Sequence, residues 1–296
     1  MRNLVVPIYS MRSYKTGKYS ILKDGNFKLH INRMNWKEDL LVVPDKCSDL
    51  EEFKSLNIIP KENIVKASYG KNAYETRKSF WENNEQLSDY GLTIVTDMPR
   101  YKGPCKSINN FNITKDPNNP RWYIDEFIKD DVEQVKIAEK TYVLNETQKN
   151  YLVLQGAPKD KIIVSTKVIS KKYFDAVGTC LPNDLPEFDI FFPFRISDPA
   201  YQFDDIVETN QEKIILITDP NESYKGFYKN IVKKRFTKRE YYGILELRPK
   251  VYYYENPEKI FHPGLADFIY FNCNITSIWN IPKLEDVLIE DENYFY

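Results

Sequence analysis

The chain has 296 residues, a formal net charge of −1, and 42% hydrophobic against 29% charged residues. That much apolar material supports a full globular core and excludes wholesale disorder, and no run approaches the ~18 apolar residues of a membrane span. Cys47, Cys105, Cys180 and Cys273 form no CxxC pair and histidine occurs only at His30 and His262. This excludes an HExxH zinc site and a disulfide frame, and points to reduced thiols in a cytosolic protein.

The first predicted strand is Leu4–Tyr9, followed by a polar, basic loop with Arg12, Lys15, Lys18 and Lys23. Leu40–Pro44 is short, apolar and β-branched, the pattern of a buried parallel strand. A short helix over Asp49–Leu56, a strand at Ile64–Val65 and a helix over Thr76–Leu87 follow. Leu92–Asp97 is a strand ending in a carboxylate. The prolines and asparagines of Met98–Pro120 predict a long loop without regular structure. Then come a helix over Ile124–Glu139, a strand at Thr141–Leu144, a helix over Glu146–Leu154 stopped by Gly156, and a strand at Lys161–Val164. Residues 178–188 read as a linker. Beyond it the strands are Phe188–Pro193, Lys213–Thr218, Val251–Tyr254 and Ile275–Trp279. The helices are Ala200–Glu208, an amphipathic Tyr224–Tyr241, and Pro263–Phe271. This alternation predicts βαβ units with mostly parallel sheets, in an α/β chain of two Rossmann-like domains. We place an N-terminal domain at 1–180, a C-terminal domain at 186–280 and an acidic tail at 281–296.

Three stretches carry candidate chemistry. Asp97 closes a buried strand, where a carboxylate serves as a general base toward a hydroxyl or simply caps the turn. Arg195 follows the first strand of the second half and either clamps a diphosphate or pairs with Asp198. In Phe261–Phe268, Pro263 opens a helix whose N-terminus favours an anion, Gly264 permits close backbone approach, and Asp267 lies one turn in. The plain alternatives are a surface His262 and an Asp267 that only complements the helix dipole.

Together these stretches resemble a known family. The Phe192–Ser197 element with Arg195, and the Phe261–Phe268 loop and helix, look like the donor half of the GT-B glycosyltransferases. Tyr142–Asn145, Gly156–Pro158, Lys161–Ser165 and Val168–Ile169 resemble the segment before their interdomain linker. The Thr96–Asp97 strand end is similar to that of the bacteriophage DNA β-glucosyltransferases. The resemblance implies a GT-B fold, two Rossmann-like domains with parallel sheets facing a central cleft. It implies a UDP-sugar donor, no obligatory metal, and an inverting single displacement. It makes Asp97 the catalytic base and places Arg195, His262, Gly264 and Asp267 at the donor, with Asp267 on the ribose.

For the acceptor, 32 Lys and 25 Asn against 7 Ala reflect AT-rich codons, as in a phage or low-GC bacterium. With the resemblance, this favours a hydroxymethylated pyrimidine, such as 5-hydroxymethylcytosine, in double-stranded DNA. Arg12, Lys15, Lys18, Arg100 and Lys102, interleaved with Tyr14, Tyr19 and Tyr101, are the candidate nucleic-acid contacts. A monomer in the cytoplasm, that of the host for a phage protein, is expected. The alternatives are a GT-B transferase acting on polysaccharide or protein, and a non-catalytic nucleotide- or DNA-binding protein.

Overall fold

A computed structural model describes residues 2–9, 16–32, 34–97, 100–109, 125–196, 201–218, 229–257 and 261–289. The chain divides into two compact units, Met1–Ala176 with Val287–Tyr296, and Val177–Asp286.

The first unit is built on seven parallel strands: β1 (Leu4–Pro7), β2 (Leu40–Pro44), β3 (Ile64–Ala67), β4 (Thr93–Thr96), β5 (Cys105–Asn109), β6 (Thr141–Val143) and β7 (Ile162–Val164). Their order is β3-β2-β1-β4-β5-β6-β7. Every residue of β1, β2 and β4 is buried, as parallel strands covered on both faces require. The helices are α1 (Phe27–His30), α2 (Leu50–Ser55), α3 (Ala73–Asn83), α4 (Asp125–Ile137), α5 (Glu146–Leu154) and α6 (Lys171–Val177), the last running up to the second unit. Leu4, Val6, Val42 and Val95 share a core cluster with Phe80 of α3. Ile128, Val132 and Val135 of α4 pack with Val143, Leu152 and Ile162 in another. Asn72 and Asn145 cap α3 and α5 through their side-chain oxygens.

Sheet pairing overrides composition at β5. The stretch expected to lack regular structure supplies this strand, because a place between β4 and β6 satisfies its backbone. Its buried Ser107 is paired too, Oγ lying 2.5 Å from Thr141 Oγ1. Of the rest of that predicted loop, 100–104 has no regular structure and 98–99 and 110–120 lie outside the described residues.

The second unit has five parallel strands: β9 (Ile190–Phe192), β10 (Ile215–Ile217), β11 (Ile231–Lys233), β12 (Lys250–Tyr252) and β13 (Asn274–Thr276), ordered β11-β10-β9-β12-β13. Its helices include α7 (Phe203–Thr209), α8 (Lys238–Glu246) and α9 (Pro263–Tyr270). The predicted helix over Tyr224–Tyr241 is corrected. Residues 231–233 are strand, and α8 begins only after Thr237. There the Thr237 hydroxyl accepts from Glu240 N at 3.2 Å and the Glu240 carboxylate accepts from Thr237 N at 2.8 Å, a capping box. Of the remainder, 224–228 lies outside the described residues. The 178–188 stretch packs within this unit, Cys180 N donating to Arg239 O at 3.1 Å.

Of the expected acidic tail at 281–296, residues 290–296 lie outside the described residues, and 284–289 carry regular structure. Two further short strands, β8 (Ile169–Ser170) and β14 (Leu288–Ile289), pair in parallel, and Leu284–Val287 forms a helix, α10. Val287 and Ile289 are buried, so their apolar side chains outweigh the solvation of the acids beside them.

Candidate functional site

In an open parallel sheet, ligands bind at the carboxyl ends of the strands where the strand order reverses. In the first unit that point falls between β1 and β4, which lie side by side with Pro7 opposite Thr96. Asp97 is the next residue. Its backbone N donates to Ile108 O at 3.0 Å, and its side chain is buried. Its φ of 52° is left-handed, a conformation that aspartate tolerates at a cost.

Beside it, Thr96 is fully buried and its Oγ1 has no hydrogen-bond partner. On the same edge, beyond β6, Asn145 Nδ2 is likewise buried without a partner, while its Oδ1 accepts from Gln148 N at 2.8 Å. Both residues stand in stretches that carry the family resemblance, but neither is among the site residues expected from the sequence. A threonine directly before the candidate carboxylate was the available signal for Thr96.

Among the basic candidates, Lys18 and Lys102 are exposed. Lys18 lies in a loop fixed by Asp49, whose carboxylate accepts from Ile21 N at 2.8 Å, Leu22 N at 3.0 Å and the Ser20 hydroxyl at 2.5 Å. Burial, with the thiol's hydrogen bond to Asp49, pushes the nearby Cys47 up to about 12. Arg12 and Lys15 lie outside the described residues. Arg100 is corrected as a backbone-phosphate contact. Its Nε donates to Asp130 at 2.8 Å and its Nη1 to Lys78 O at 3.1 Å, so its charge already serves the contact with α4.

In the second unit the order reverses between β9 and β12. Arg195 follows β9 and is exposed. The preceding Phe194 is buried in an aromatic group, stacked on Tyr201 at 4.6 Å and edge-on to His262 at 5.2 Å and Phe268 at 5.5 Å. That packing fixes the backbone from which Arg195 projects.

The α9 end departs from expectation. His262 is its N-cap, with Nδ1 accepting from Gly264 N at 2.9 Å and Nε2 lying 3.1 Å from the Tyr201 hydroxyl. The backbone N–H assigned to an anion is therefore already held by His262. The space beside Gly264 belongs to protein: a Cβ there would come within 2.9 Å of Phe194 Cε1. Asp267 is 2% exposed and accepts from the Tyr242 hydroxyl at 3.2 Å and the Tyr241 hydroxyl at 3.3 Å, with Lys238 Nζ at 3.8 Å. Its oxygens tie α8 to α9, which corrects the expected ribose role. The Tyr241-Tyr242 pair carried no pattern that announced this contact.

A pocket of about 510 Å³ lies at the opposite, amino end of this sheet, lined by Pro186, Phe188, Ile214, Leu247 and Pro249 among others. It holds none of the candidate residues. Among the described residues no group of three or more His, Cys, Asp or Glu is placed to hold a metal, and no helix is long and apolar enough to cross a membrane.

The sequence matches no protein-family model and no curated protein. Solved structures do match over nearly the whole chain. Anabaena Alr3699/HepE in complex with UDP and glucose is similar at TM-score 0.59 and 8% identity, over 94% of this chain and 80% of that one. UDP-GlcNAc 2-epimerase from Methanocaldococcus jannaschii is similar at TM-score 0.53 and 12% identity, over 99% and 89%. The S. aureus MnaA–UDP complex is similar at TM-score 0.53 and 10% identity, over 93% and 79%. With two doubly wound parallel units and this likeness, the chain has the GT-B-type fold seen in UDP-sugar-binding proteins.

Proposed function

We propose that the chain is a glycosyltransferase that moves a sugar from a UDP-sugar onto a hydroxyl by a single displacement with inversion. The observation that carries this reading is Asp97 at the topological switch point of the first unit, a buried carboxylate held at a strand's carboxyl end. The likeness to structures solved with UDP supports the donor. In the reaction, Asp97 accepts the proton of the acceptor hydroxyl as its oxygen attacks the anomeric carbon. The bond from that carbon to the diphosphate oxygen breaks, and UDP leaves with the electron pair. Arg195 stabilises the charge that develops on the diphosphate.

For the acceptor we propose a hydroxymethylated pyrimidine in duplex DNA. This extends the resemblance of the Thr96–Asp97 strand end, and the exposed Lys18 and Lys102 are suited to phosphate contacts. The test is to incubate the protein with UDP-glucose or UDP-N-acetylglucosamine and hydroxymethylated or plain duplex, then digest and weigh the nucleosides. The mass of the donor's sugar, hexose or N-acetylhexosamine, added only to the modified base supports the reading. Transfer to a glycan alone rejects the DNA acceptor. Asp97→Asn is expected to abolish transfer while UDP still binds, and retained turnover in that variant removes Asp97 as the base.

A second reading follows from the likeness to UDP-GlcNAc 2-epimerases. It predicts inversion at C2 of UDP-N-acetylglucosamine without any acceptor, which proton NMR of the nucleotide sugar detects directly.

A further inference from the structure

Adjacent residues at the end of β4 each carry a cost. Asp97 sits in the left-handed region at φ 52°. Thr96 keeps a hydroxyl that is fully buried with no hydrogen-bond partner. A buried hydroxyl without a partner forfeits the hydrogen bonds that water gave it, and valine would fill the same β-branched space without that loss. Costs of this kind concentrate where a ligand repays them. The position agrees, since Thr96 lies opposite Pro7 across the reversal of strand order. Asn145 Nδ2, also buried without a partner, makes the same sheet edge polar at a second point.

We infer that Thr96 Oγ1 is a ligand-binding group of the Asp97 site: it hydrogen-bonds a hydroxyl, of the donor sugar or of the acceptor, that enters beside Asp97. This rests on the reading of the chain as a UDP-sugar transferase. Buried with Thr96, that hydroxyl is sheltered from water and held next to the carboxylate.

The test compares Thr96→Val, which removes the hydroxyl and keeps the shape, with Thr96→Ser, which keeps the hydroxyl. Turnover is followed as UDP release from UDP-glucose, with water or hydroxymethylated duplex as acceptor, and UDP and UDP-glucose binding are measured by calorimetry. Thr96→Val is expected to melt at the wild-type temperature or above it, yet to lose about tenfold or more in kcat/KM, with Thr96→Ser close to wild type. Weakened binding of UDP-glucose but not UDP identifies the donor's hydroxyl. Unchanged donor binding with a raised KM for the duplex identifies the acceptor's. Wild-type binding and kcat/KM in Thr96→Val overturn the inference and leave the transferase reading standing. A wild-type protein that neither binds nor consumes UDP-glucose or UDP-N-acetylglucosamine removes that reading, and this inference with it. Should the valine variant fail to fold, Thr96→Ala carries the same comparison.

Discussion

Arg100 and Arg195 both follow the carboxyl end of a strand, and their surroundings separate them. Arg100 donates to Asp130 and the Lys78 carbonyl on the side of α4, and Arg195 stands exposed past β9, at the carboxyl edge where the second sheet reverses its order. Arg195→Ala is therefore expected to weaken UDP binding by about tenfold to a hundredfold, the worth of a charge-assisted contact to phosphate. Arg100→Ala is expected to leave UDP binding unchanged and cost about 0.5 kcal/mol of stability, as a half-exposed ion pair does. Calorimetry with UDP and a urea melt separate the two, and equal loss of UDP binding in both variants refutes the distinction. His30 offers a pH test. Burial holds its imidazole down to about 3 in the folded protein. Unfolded, it titrates near 6.5, so below that value the unfolded chain binds the extra proton and stability falls. Between pH 7 and 5 this group alone is expected to remove about 2 kcal/mol. His30→Gln should flatten that part of the stability profile; an unchanged slope would assign the titration elsewhere. At this scale the sequence discloses residue type and place in a strand, and Asp97 does follow β4. It does not disclose partners. Asp267 sits where a helix N-terminus invites a ligand contact, yet its oxygens belong to Tyr241 and Tyr242.

Among the elements, α8 shows where local signals sufficed and where they did not. Thr237 and Glu240 spell a capping box in the sequence itself, yet the aromatic spacing of Tyr224–Tyr241 suggested a longer helix that overran it. The 231–233 segment is strand because the parallel ladder with β10 needs it, a non-local demand that periodicity cannot register. The strand β5 was hidden for the same reason. Gly243 was equally silent. A Cβ there would press into the Cys180 carbonyl, so the helix runs directly against the backbone at 180–181. Alanine is the better helix former by about 1 kcal/mol, but a contact with backbone has no flexible end to yield. Gly243→Ala is expected to lower stability by about 1–3 kcal/mol despite that propensity. A thermal or urea melt decides the sign, and a stabilised variant would show that the 180–181 backbone can move away at little cost.

For the molecule as a whole, the alternation of strands and helices was enough to predict two parallel units, because that periodicity is local and repeats. The return of the chain's end was not legible. Glu285, Asp286 and Glu290–Glu292 dominate the composition of the last residues and read as a solvated tail. The apolar run Val287-Leu288-Ile289 was the only hint. In the structure Val287 O accepts from Val168 N at 2.8 Å, Leu288 and Ile289 pair with Ile169 and Ser170, and Asn32 Nδ2 donates to Val168 O at 2.8 Å from α1's side. The chain thus opens in the first unit, traverses Val177–Asp286, and closes on the first unit again. Burying Val287 and Ile289 is worth about 1.5–3 kcal/mol each, enough to matter to a marginally stable domain. Removal of residues 287–296 is therefore expected to destabilise the first unit by about 3 kcal/mol or more and to spare the second unit's sheet, whose strands β9 to β13 all lie before residue 277. Native-state hydrogen exchange reads both at once. Faster exchange at Val168 and Ile169, with wild-type protection across β9 and β10, is the expected result. Equal loss of protection in both sheets would show instead that the terminal segment stabilises the two units as one.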